Sequence, residues 1–337
     1  MQQKVFTYKE PFKLENGAVF TNFHLAYTTY GKINEAKDNV VWIFHALTAN
    51  SKPHEWWPEM IGEGKLFDPV KDFIICVNMP GSCYGSISPL DGDPQKGEPY
   101  YHSFPFFTPR DMIRSYQLLK KELGIEKIRI GIGGSMGGQQ LLEWAIEEPG
   151  VFEYIIPLAT NAVHSAWGKA FNASQRFAIE ADTTWKEKRP DAGKKGMEVA
   201  RSIGLLSYRN ATAYNKTQSE TTDEKLEDFK SESYQRYQGT KLSARFNAFS
   251  YWALSKGMDA HNVGRGRGGI LKALSRIKAK TLVLSLEGDL LFPPDEQDFL
   301  ADHIPGAQLK LILSDYGHDG FLLEFQQISE AINLFLK

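Results

Sequence analysis

The chain has 337 residues, of which 42% are hydrophobic and 24% are charged, and its formal net charge is −2. This length predicts about two domains, or one core with a large insertion, and such a core needs neither a metal ion nor disulfides to fold. The small net charge provides no basic field that would recruit nucleic acid or an anionic membrane. Two cysteines, Cys76 and Cys83, are too few for a disulfide framework or a four-cysteine metal site.

The first residues, MQQKVFTYKEPFKLENG, lack the apolar stretch of a signal peptide. No run of about 18 apolar residues follows them, so no membrane-spanning helix is predicted. We therefore expect a soluble, cytoplasmic protein with neither a membrane nor a nucleic acid as partner.

Short apolar runs rich in β-branched residues recur along the chain, with helical patterns between several of them. The segments before residue 32 are typical of an antiparallel edge. Later runs predicted as strands are residues 40–44, 73–79, 128–132, 154–159, 281–286 and 309–314. Because these runs are apolar on both faces, they predict a mostly parallel central sheet with helices on both faces.

A helix is predicted over residues 108–124. Thr108 can cap its start, Pro109 stands at its first position, Asp111 completes a capping pattern and Gly124 ends it.

The alternation of strands and helices stops after Thr160 and resumes at Thr281. Polar helical stretches, ARSIGLLSYRNATAY and DEKLEDFKSESYQRYQ, prevail between them. Because the core needs its last strands, an insertion explains this better than two sequential domains. We therefore predict a core in two parts, residues 1–163 and 277–337, interrupted by a helical lid at residues 164–276.

The stretch IRIGIGGSMGGQQLLEWAIEEP, residues 128–149, places a G-x-S-x-G pattern between an apolar strand and an amphipathic helix. In that context the pattern is typical of a nucleophile elbow, in which glycines flank a strained turn. The hydroxyl of Ser135 would stand at a helix N-terminus, where backbone N–H groups can stabilise an oxyanion. Ser135 is therefore the predicted nucleophile; the alternative is a glycine-rich turn with an idle serine.

A nucleophilic serine needs a base to take its proton, and in such folds an acid and then a histidine follow the serine in the chain. Of the eight histidines, His318 directly follows the apolar run at 309–314, at the carboxyl edge where catalytic groups gather. His303 is typical of a helix end, and His261 belongs to the lid. His318 is the predicted base; the alternative is a loop histidine that caps a carbonyl.

The acid is expected one strand before the base. Asp289 ends the run TLVLSLEGD, and the step to His318 (318 − 289 = 29) leaves room for one helix and one strand. That βαβ step brings the two strand ends together, and the carboxylate would hold the imidazole in its useful tautomer. Glu287, Asp295 and Asp298 are weaker candidates, and the alternative for Asp289 is a helix cap.

The oxyanion needs two donors. One is the backbone N–H of Met136, which follows the nucleophile, and the other should come from the loop after an earlier strand. We predict the N–H of Leu47, after the strand at 40–44, and we expect His45 to support that loop rather than to titrate.

With these residues placed, the chain resembles the homoserine O-acetyltransferase family from about residue 12 to residue 337. HALT, and GGSMGG followed by LEWA, are more specific than any generic hydrolase motif. The stretches that carry the resemblance are HALTAN (45–50), WWPEMIGEGKLFD (56–68), NMPGSCYGS (78–86), FPFFTPRDM (104–112), GGSMGGQQLLEWA (133–145), AFNASQRFAIEAD (170–182), ESYQRYQG (232–239), DLLFPP (289–294) and GHDGFL (317–322).

The resemblance implies an α/β-hydrolase fold and ping-pong acyl transfer. Ser135 would take an acetyl group from acetyl-CoA and pass it to the hydroxyl of L-homoserine, a step of methionine biosynthesis. It implies acetyl-CoA as a substrate, no cofactor, no metal, and a homodimer formed through the lid helices.

The resemblance also implies an acceptor site. Arg201 matches the arginine that pairs with the amino-acid carboxylate, Tyr208 a substrate-binding tyrosine, and Asp319 the residue that binds the α-amino group. A zwitterion needs one cation and one anion at a fixed separation, and a guanidinium can grip a carboxylate with two hydrogen bonds. Without the resemblance, Arg201 would be interpreted as a solvated arginine of the lid.

Four places depart from the family pattern: Ala49 for glycine, Ile87-Ser88 for Thr-Gly, Gln139 for methionine and Asn247 for aspartate. None removes a member of the triad. Acetyl and succinyl donors, and homoserine and serine acceptors, differ by small changes of pocket shape that these residues do not resolve.

Two rival functions share the predicted fold. An esterase or thioesterase would use the same triad but admit water, and it would lack Arg201 and Asp319 close to Ser135. A binding protein with the same fold but no catalytic activity would not need an intact triad. The arginines of VGRGRGGI, residues 263–270, are expected in a flexible return from lid to core, with contact to CoA phosphates or to nucleic acid as the alternatives.

Overall fold

An eight-stranded sheet forms the centre of the protein in the computed structural model, which describes residues 2–337. The strand order is β1-β4-β6-β5-β7-β8-β9-β10, and a separate two-stranded sheet joins β2 to β3. The strands are β1 (Gln3–Tyr8), β2 (Phe12–Lys13), β3 (Val19–Phe20), β4 (Phe23–Tyr30), β5 (Val40–Phe44), β6 (Phe73–Val77), β7 (Ile128–Gly134), β8 (Phe152–Leu158), β9 (Lys280–Leu286) and β10 (Gln308–Ile312).

The six strands from β5 to β10 are parallel to one another, while β1 and β4 run antiparallel at one edge. The six strands predicted from apolar runs and the antiparallel N-terminal edge are therefore confirmed. The helices are α1 (Pro53–Trp56), α2 (Pro109–Glu122), α3 (Met136–Glu147), α4 (Ala166–Glu180), α5 (Lys194–Tyr208), α6 (Ala211–Gln218), α7 (Lys230–Ser243), α8 (Ala248–Asp259), α9 (Ile270–Leu274), α10 (Pro294–His303), α11 (Gly320–Leu323) and α12 (Phe325–Phe335).

Both faces of the strands β5 to β9 are largely buried, as the unbroken apolar runs predict. The edge strand β10 differs, because Leu309 and Leu311 are 43% and 44% exposed although their run was predicted to be buried on both faces. Along β5, the side chains of Val40, Trp42 and Phe44 belong to one core cluster, and those of Val41 and Ile43 belong to the other. The first cluster includes residues of α2, α3 and α10, and the second includes residues of α12. Alternate side chains thus face opposite helical layers, which is the arrangement of a parallel sheet within an α/β fold.

The predicted capping of α2 is confirmed in detail. The hydroxyl of Thr108 accepts a hydrogen bond from the backbone N–H of Asp111, and the Asp111 carboxylate accepts one from the backbone N–H of Thr108. Pro109 occupies the first helical position. This reciprocal cap satisfies two N–H groups that a helix start leaves without partners.

Six helices, α4 to α9, follow β8 in the chain before the sheet resumes at β9. β8 nevertheless pairs directly with β9, so that Leu158 lies opposite Leu284. The stretch DEKLEDF was predicted as helical, but α7 begins only at Lys230. This stretch has no apolar face to bury, since Leu226 is 91% exposed, and helices in proteins owe most of their stability to such burial.

The carboxyl ends of the parallel strands lie at one edge of the sheet. Ser135 directly follows β7, Asp289 follows β9, and His318 follows β10. The fold therefore brings to one edge three side chains that are far apart in the sequence.

Candidate active site

Ser135 occupies a strained turn between β7 and α3. Its φ and ψ are 58° and −126°, a conformation that side chains rarely adopt. The residue is 5% exposed and lines a cavity at the carboxyl edge of the sheet. Strain of this kind persists only where the surrounding structure holds it, and it is concentrated at functional sites.

The glycines on either side of Ser135 are required by close backbone contacts. A Cβ atom at Gly137 would lie 2.2 Å from the carbonyl oxygen of Phe44, and one at Gly133 would lie 2.5 Å from the backbone of Gly137. Strand β5, strand β7 and helix α3 can meet only if these positions lack side chains. The G-x-S-x-G spacing is therefore explained by packing around the turn.

Asp289 and His318 form a buried pair. The Nδ1 of His318 lies 2.6 Å from Oδ2 of Asp289, and both residues are at most 3% exposed. The other carboxylate oxygen, Oδ1, accepts hydrogen bonds from the backbone N–H groups of Leu291 at 2.8 Å and Phe292 at 2.9 Å. Because the carboxylate occupies Nδ1, it directs Nε2 of the imidazole away from Asp289 and leaves it free to exchange a proton.

Aromatic rings hold the imidazole of His318 in place. Phe292 stacks on it with ring centroids 5.1 Å apart, and Phe321 meets it edge-on at 5.3 Å. His318 and Ser135 line the same cavity, although within residues 2–337 no hydrogen bond joins their side chains. In enzymes without bound substrate, such hydrogen bonds are often long and tighten in the reacting complex.

The two expected oxyanion donors, Leu47 and Met136, lie near Ser135. Leu47 lines the cavity, and Met136 is the first residue of α3. Within the described chain, neither backbone N–H finds an acceptor. Buried N–H groups without partners are rare in proteins, so this pair is well suited to receive a developing negative charge.

His45 supports the loop that carries Leu47, as expected. Its Nε2 accepts a hydrogen bond from the backbone N–H of Met79 at 3.0 Å, and its Nδ1 lies 2.9 Å from the carbonyl oxygen of Ala46. Burial lowers the pKa of His45 to about 4. The imidazole is therefore neutral near pH 7, and it links the backbone of Met79 to the backbone of Ala46.

The three residues implied for the acceptor site line the same cavity as Ser135. Arg201 and Tyr208 come from α5, and the Arg201 guanidinium lies 5.2 Å from the centre of the Tyr208 ring. Burial raises the pKa of Tyr208, so its hydroxyl keeps its proton near pH 7. Asp319 follows His318 directly in the chain, so the cavity contains a guanidinium and a carboxylate together with the Ser135 hydroxyl.

Two further residues of the site were not predicted, although Asn172 lies in the stretch 170–182 that carries the family resemblance. Asn172 of α4 lines the cavity. Arg209, at the end of α5, donates from Nε to Oδ2 of Asp319 at 3.0 Å. Both depend on how the inserted helices pack over the core, which a pattern along the chain does not contain.

The arginines of residues 263–270 have other partners than the CoA phosphates considered from the sequence. Arg265 pairs with Glu15 at 2.8 Å, and Arg267 pairs with Glu143 at 2.6 Å and with Glu147 at 2.5 Å. The Arg267 side chain is only 6% exposed. Because carboxylates already engage both guanidinium groups, this segment fastens the inserted helices to the core.

Two of the departures from the family pattern have clear structural settings. Asn247 caps α8 by accepting a hydrogen bond from the N–H of Ser250, a role that aspartate fills equally well. Gln139 is buried and donates to Oδ1 of Asn161 at 3.0 Å, while its own Oε1 has no partner within residues 2–337. Nothing in the structure explains the departures at Ala49, Ile87 and Ser88.

Neither a metal site nor a membrane span is evident in the part of the chain that the structure describes. Residues 2–337 contain no group of three or more His, Cys, Asp or Glu side chains placed to hold a metal ion. None of their helices combines the length and apolar character needed to cross a membrane.

Known proteins resemble this chain in both sequence and structure. Residues 39–325 match the family model of the alpha/beta hydrolase fold. A homoserine O-acetyltransferase of Cyclobacterium marinum is 50% identical over 335 residues, covering 99% of this chain and 95% of that protein. The crystal structure of homoserine O-acetyltransferase from Staphylococcus aureus has 30% identity and a TM-score of 0.80, covering 99% of this chain and 94% of that one.

A hydrolase shares the fold as well. The structure of an acetylester hydrolase from Corynebacterium glutamicum has a TM-score of 0.87 and 24% identity, covering 100% of this chain and 96% of that one. At that identity the likeness concerns the fold alone. The near full-length match at 50% identity is decisive: this chain is an acyltransferase that belongs to the homoserine O-acetyltransferase family of the α/β-hydrolase fold.

Proposed function

We propose that this chain transfers an acetyl group from acetyl-CoA to the hydroxyl of L-homoserine through an acyl-Ser135 intermediate. One observation carries the proposal: a single cavity is lined by Ser135 and His318 and also by Arg201 and Asp319. A hydrolase needs only the first two, whereas an amino-acid acceptor also needs the cation and the anion. The proposed reaction belongs to methionine biosynthesis and uses no cofactor.

In the first half-reaction, Ser135 attacks the thioester of acetyl-CoA. His318 takes the Ser135 proton at Nε2 while a bond forms between Oγ and the acetyl carbon. The negative charge on the carbonyl oxygen would be stabilised by the N–H groups of Leu47 and Met136. The carbon–sulfur bond then breaks, the CoA sulfur takes the proton from His318, and Asp289 stabilises the imidazolium in between.

The second half-reaction repeats these steps with the acceptor. His318 takes the proton of the homoserine hydroxyl as its oxygen attacks the acyl-Ser135 carbon. The bond from that carbon to Oγ breaks, and Ser135 recovers its proton from His318. O-acetylhomoserine leaves, and the free enzyme is restored.

The acceptor site would hold homoserine by both of its charges. The Arg201 guanidinium suits the carboxylate, and Asp319 suits the α-ammonium group. Tyr208 limits the freedom of Arg201 because the guanidinium packs against its ring. Holding both ends of the amino acid would fix its hydroxyl near Ser135, which favours attack by homoserine over attack by water.

We also propose a homodimer formed through the helices inserted between β8 and β9, for which residues 164–276 are the proposed lid. These helices carry unusually exposed apolar side chains. Phe177 is 64% exposed, Tyr237 59%, Val199 53% and Leu206 53%. Exposed apolar surface of this kind is typical of a protein interface.

Pre-steady-state kinetics test the transfer mechanism. Mixing the enzyme with acetyl-CoA alone should release about one equivalent of CoA in a burst, followed by a slow phase, because acyl-Ser135 forms but finds no acceptor. Adding homoserine should restore steady turnover. Thiol-specific absorbance in a stopped-flow instrument follows both phases.

Parallel measurements with succinyl-CoA, and with serine as the acceptor, define the donor and acceptor preferences. The thioesterase alternative predicts equal steady rates of CoA release with and without homoserine. That result would overturn the proposed function.

Removal of the Arg201 guanidinium should impair the acceptor step alone. Loss of a hydrogen bond to a charged group costs about 1.5–3 kcal/mol, so Arg201→Ala should lower kcat/KM for homoserine roughly 10- to 150-fold. The CoA burst should be nearly unchanged, because acylation precedes the binding of homoserine. Steady-state and burst measurements on the same preparation separate the two effects.

Arg201→Lys should recover only part of the loss, since an ammonium group cannot reproduce the planar fork of a guanidinium. Lys195→Ala is a matched control, because Lys195 lies on the same helix with its side chain 85% exposed. An unchanged KM for homoserine in Arg201→Ala, or an abolished burst, would show that Arg201 has another role.

A further inference from the structure

Asn172 contributes a polar atom to the cavity that the triad and the proposed acceptor residues do not use. It lies on α4, is 3% exposed and lines the cavity together with Ser135, Arg201 and Asp319. Its Nδ2 donates two hydrogen bonds, to Oδ1 of Asp259 at 2.9 Å and to Nε2 of His164 at 3.2 Å. Within residues 2–337 its Oδ1 accepts none.

These two neighbours determine which way the amide faces. An Asp259 carboxylate only accepts hydrogen bonds, and Arg176 holds it in place with an Nη2–Oδ2 distance of 2.5 Å. Burial lowers the pKa of His164 to about 3, so its imidazole is neutral and its Nε2 can accept. The amide nitrogen, with two hydrogens, matches both acceptors.

The opposite orientation of the amide is disfavoured. Rotating the Asn172 side chain by half a turn would place Oδ1 against the Asp259 carboxylate, so that two acceptors would be in contact without a proton between them. Oδ1 of Asn172 must therefore be the atom presented to the cavity. The cavity thus offers a fixed, neutral hydrogen-bond acceptor as well as the charged Asp319.

The ammonium group of an amino acid has more donors than Asp319 alone can satisfy. It carries three N–H groups, whereas Oδ2 of Asp319 already accepts from Arg209. Each N–H that is buried without an acceptor costs affinity. A second acceptor near Asp319 would therefore strengthen the binding of an ammonium group.

We propose that Oδ1 of Asn172 accepts a hydrogen bond from the α-ammonium group of the acceptor amino acid. His164 and Asp259 act as positioning residues that keep this oxygen turned toward the cavity. The inference rests on the proposed function and names a residue that selects amino acids over hydroxy acids without an amino group.

Two acceptor analogues test this role directly. 2-Aminobutyrate keeps the ammonium and the carboxylate of homoserine but lacks its hydroxyl, whereas 4-hydroxybutyrate keeps the carboxylate and the hydroxyl but lacks the ammonium. In Asn172→Ala, the KM for homoserine and the inhibition constant of 2-aminobutyrate should both rise about 10-fold or more. The inhibition constant of 4-hydroxybutyrate and the CoA burst with acetyl-CoA should stay within about twofold of wild type.

Asn172→Leu provides a second variant of similar side-chain volume, which also lacks an acceptor and should show the same pattern. Ser165→Ala is the matched control, because Ser165 caps the same helix by accepting from Gly168 N–H and does not line the cavity. It should lower the melting temperature without changing any of these constants.

Equal losses with both analogues would mean that Asn172 only maintains the shape of the cavity, and a slower burst would assign it to the acyl donor. Either result overturns the proposal. Calorimetric binding of 2-aminobutyrate to the resting enzyme requires no turnover. An affinity that does not differ between Asn172→Ala and wild type would also overturn it, whereas a missing CoA burst in wild type would reject only the proposed function.

Discussion

Ser135→Ala should lower kcat by about 10⁴-fold or more, measured as CoA release in the presence of acetyl-CoA and homoserine. The substitution removes the atom that would carry the acetyl group, while the cavity and its charged residues remain. Alanine has the same backbone limits as serine, so the strained turn with φ of 58° should persist. The CoA burst should disappear together with the steady-state rate.

Folding and substrate binding should survive this change. Circular dichroism should match wild type, and acetyl-CoA should still bind in calorimetry. Ser82→Ala is a suitable control, because Ser82 is likewise a buried serine but does not line the cavity. A Ser135→Ala enzyme that keeps a tenth of wild-type activity would rule out Ser135 as the nucleophile.

Asp289→Asn should lower kcat on the order of 10⁴-fold with little change in structure. The N–H groups of Leu291 and Phe292 both point at one oxygen of this side chain, so the oxygen of an asparagine would stay there. Its NH₂ group would then face Nδ1 of His318. The histidine would have to carry its proton on Nε2, where it could no longer take the proton of Ser135.

Two neighbouring carboxylates serve as controls for this assignment. Glu287 and Asp295 are exposed, and neither lines the cavity. Glu287→Gln and Asp295→Asn should keep kcat within about twofold of wild type. If either of these changes abolished activity while Asp289→Asn did not, the acid would have been placed wrongly.

The sequence was most informative where local chemistry alone decides the structure. Apolar runs on both faces identify the six parallel strands, and the cap at Thr108 identifies the start of α2. The pairing of His318 with Asp289 also follows from chain order, because parallel strands joined by a helix end at the same edge. Ser135 is identifiable because its turn requires glycine on both sides.

Contacts across the inserted helices were not predictable in this way. The Nδ2 atom of Asn172 is held by residues from two separate segments, and Arg209 reaches Asp319 over a separation of 110 residues. No periodicity relates such residues. For the same reason, the sequence predicted only a flexible return to the core over residues 263–270, whereas the structure pairs Arg265 and Arg267 with glutamates.

The direct pairing of β8 with β9 means that the central sheet is continuous without the helices inserted between these two strands. The helices between these strands leave and rejoin the sheet at adjacent positions. The entropic free-energy cost of closing such an excursion rises by only about 0.6 kcal/mol for each doubling of its length. The length of the insertion therefore has little effect on the stability of the sheet. Arg201, Tyr208 and Asn172 all belong to the excursion, whereas Ser135, Asp289 and His318 belong to the sheet edge. The proposed acceptor residues of the excursion can therefore change by insertion, deletion or repacking of helices, while the proposed triad and Asp319 at the sheet edge stay in place.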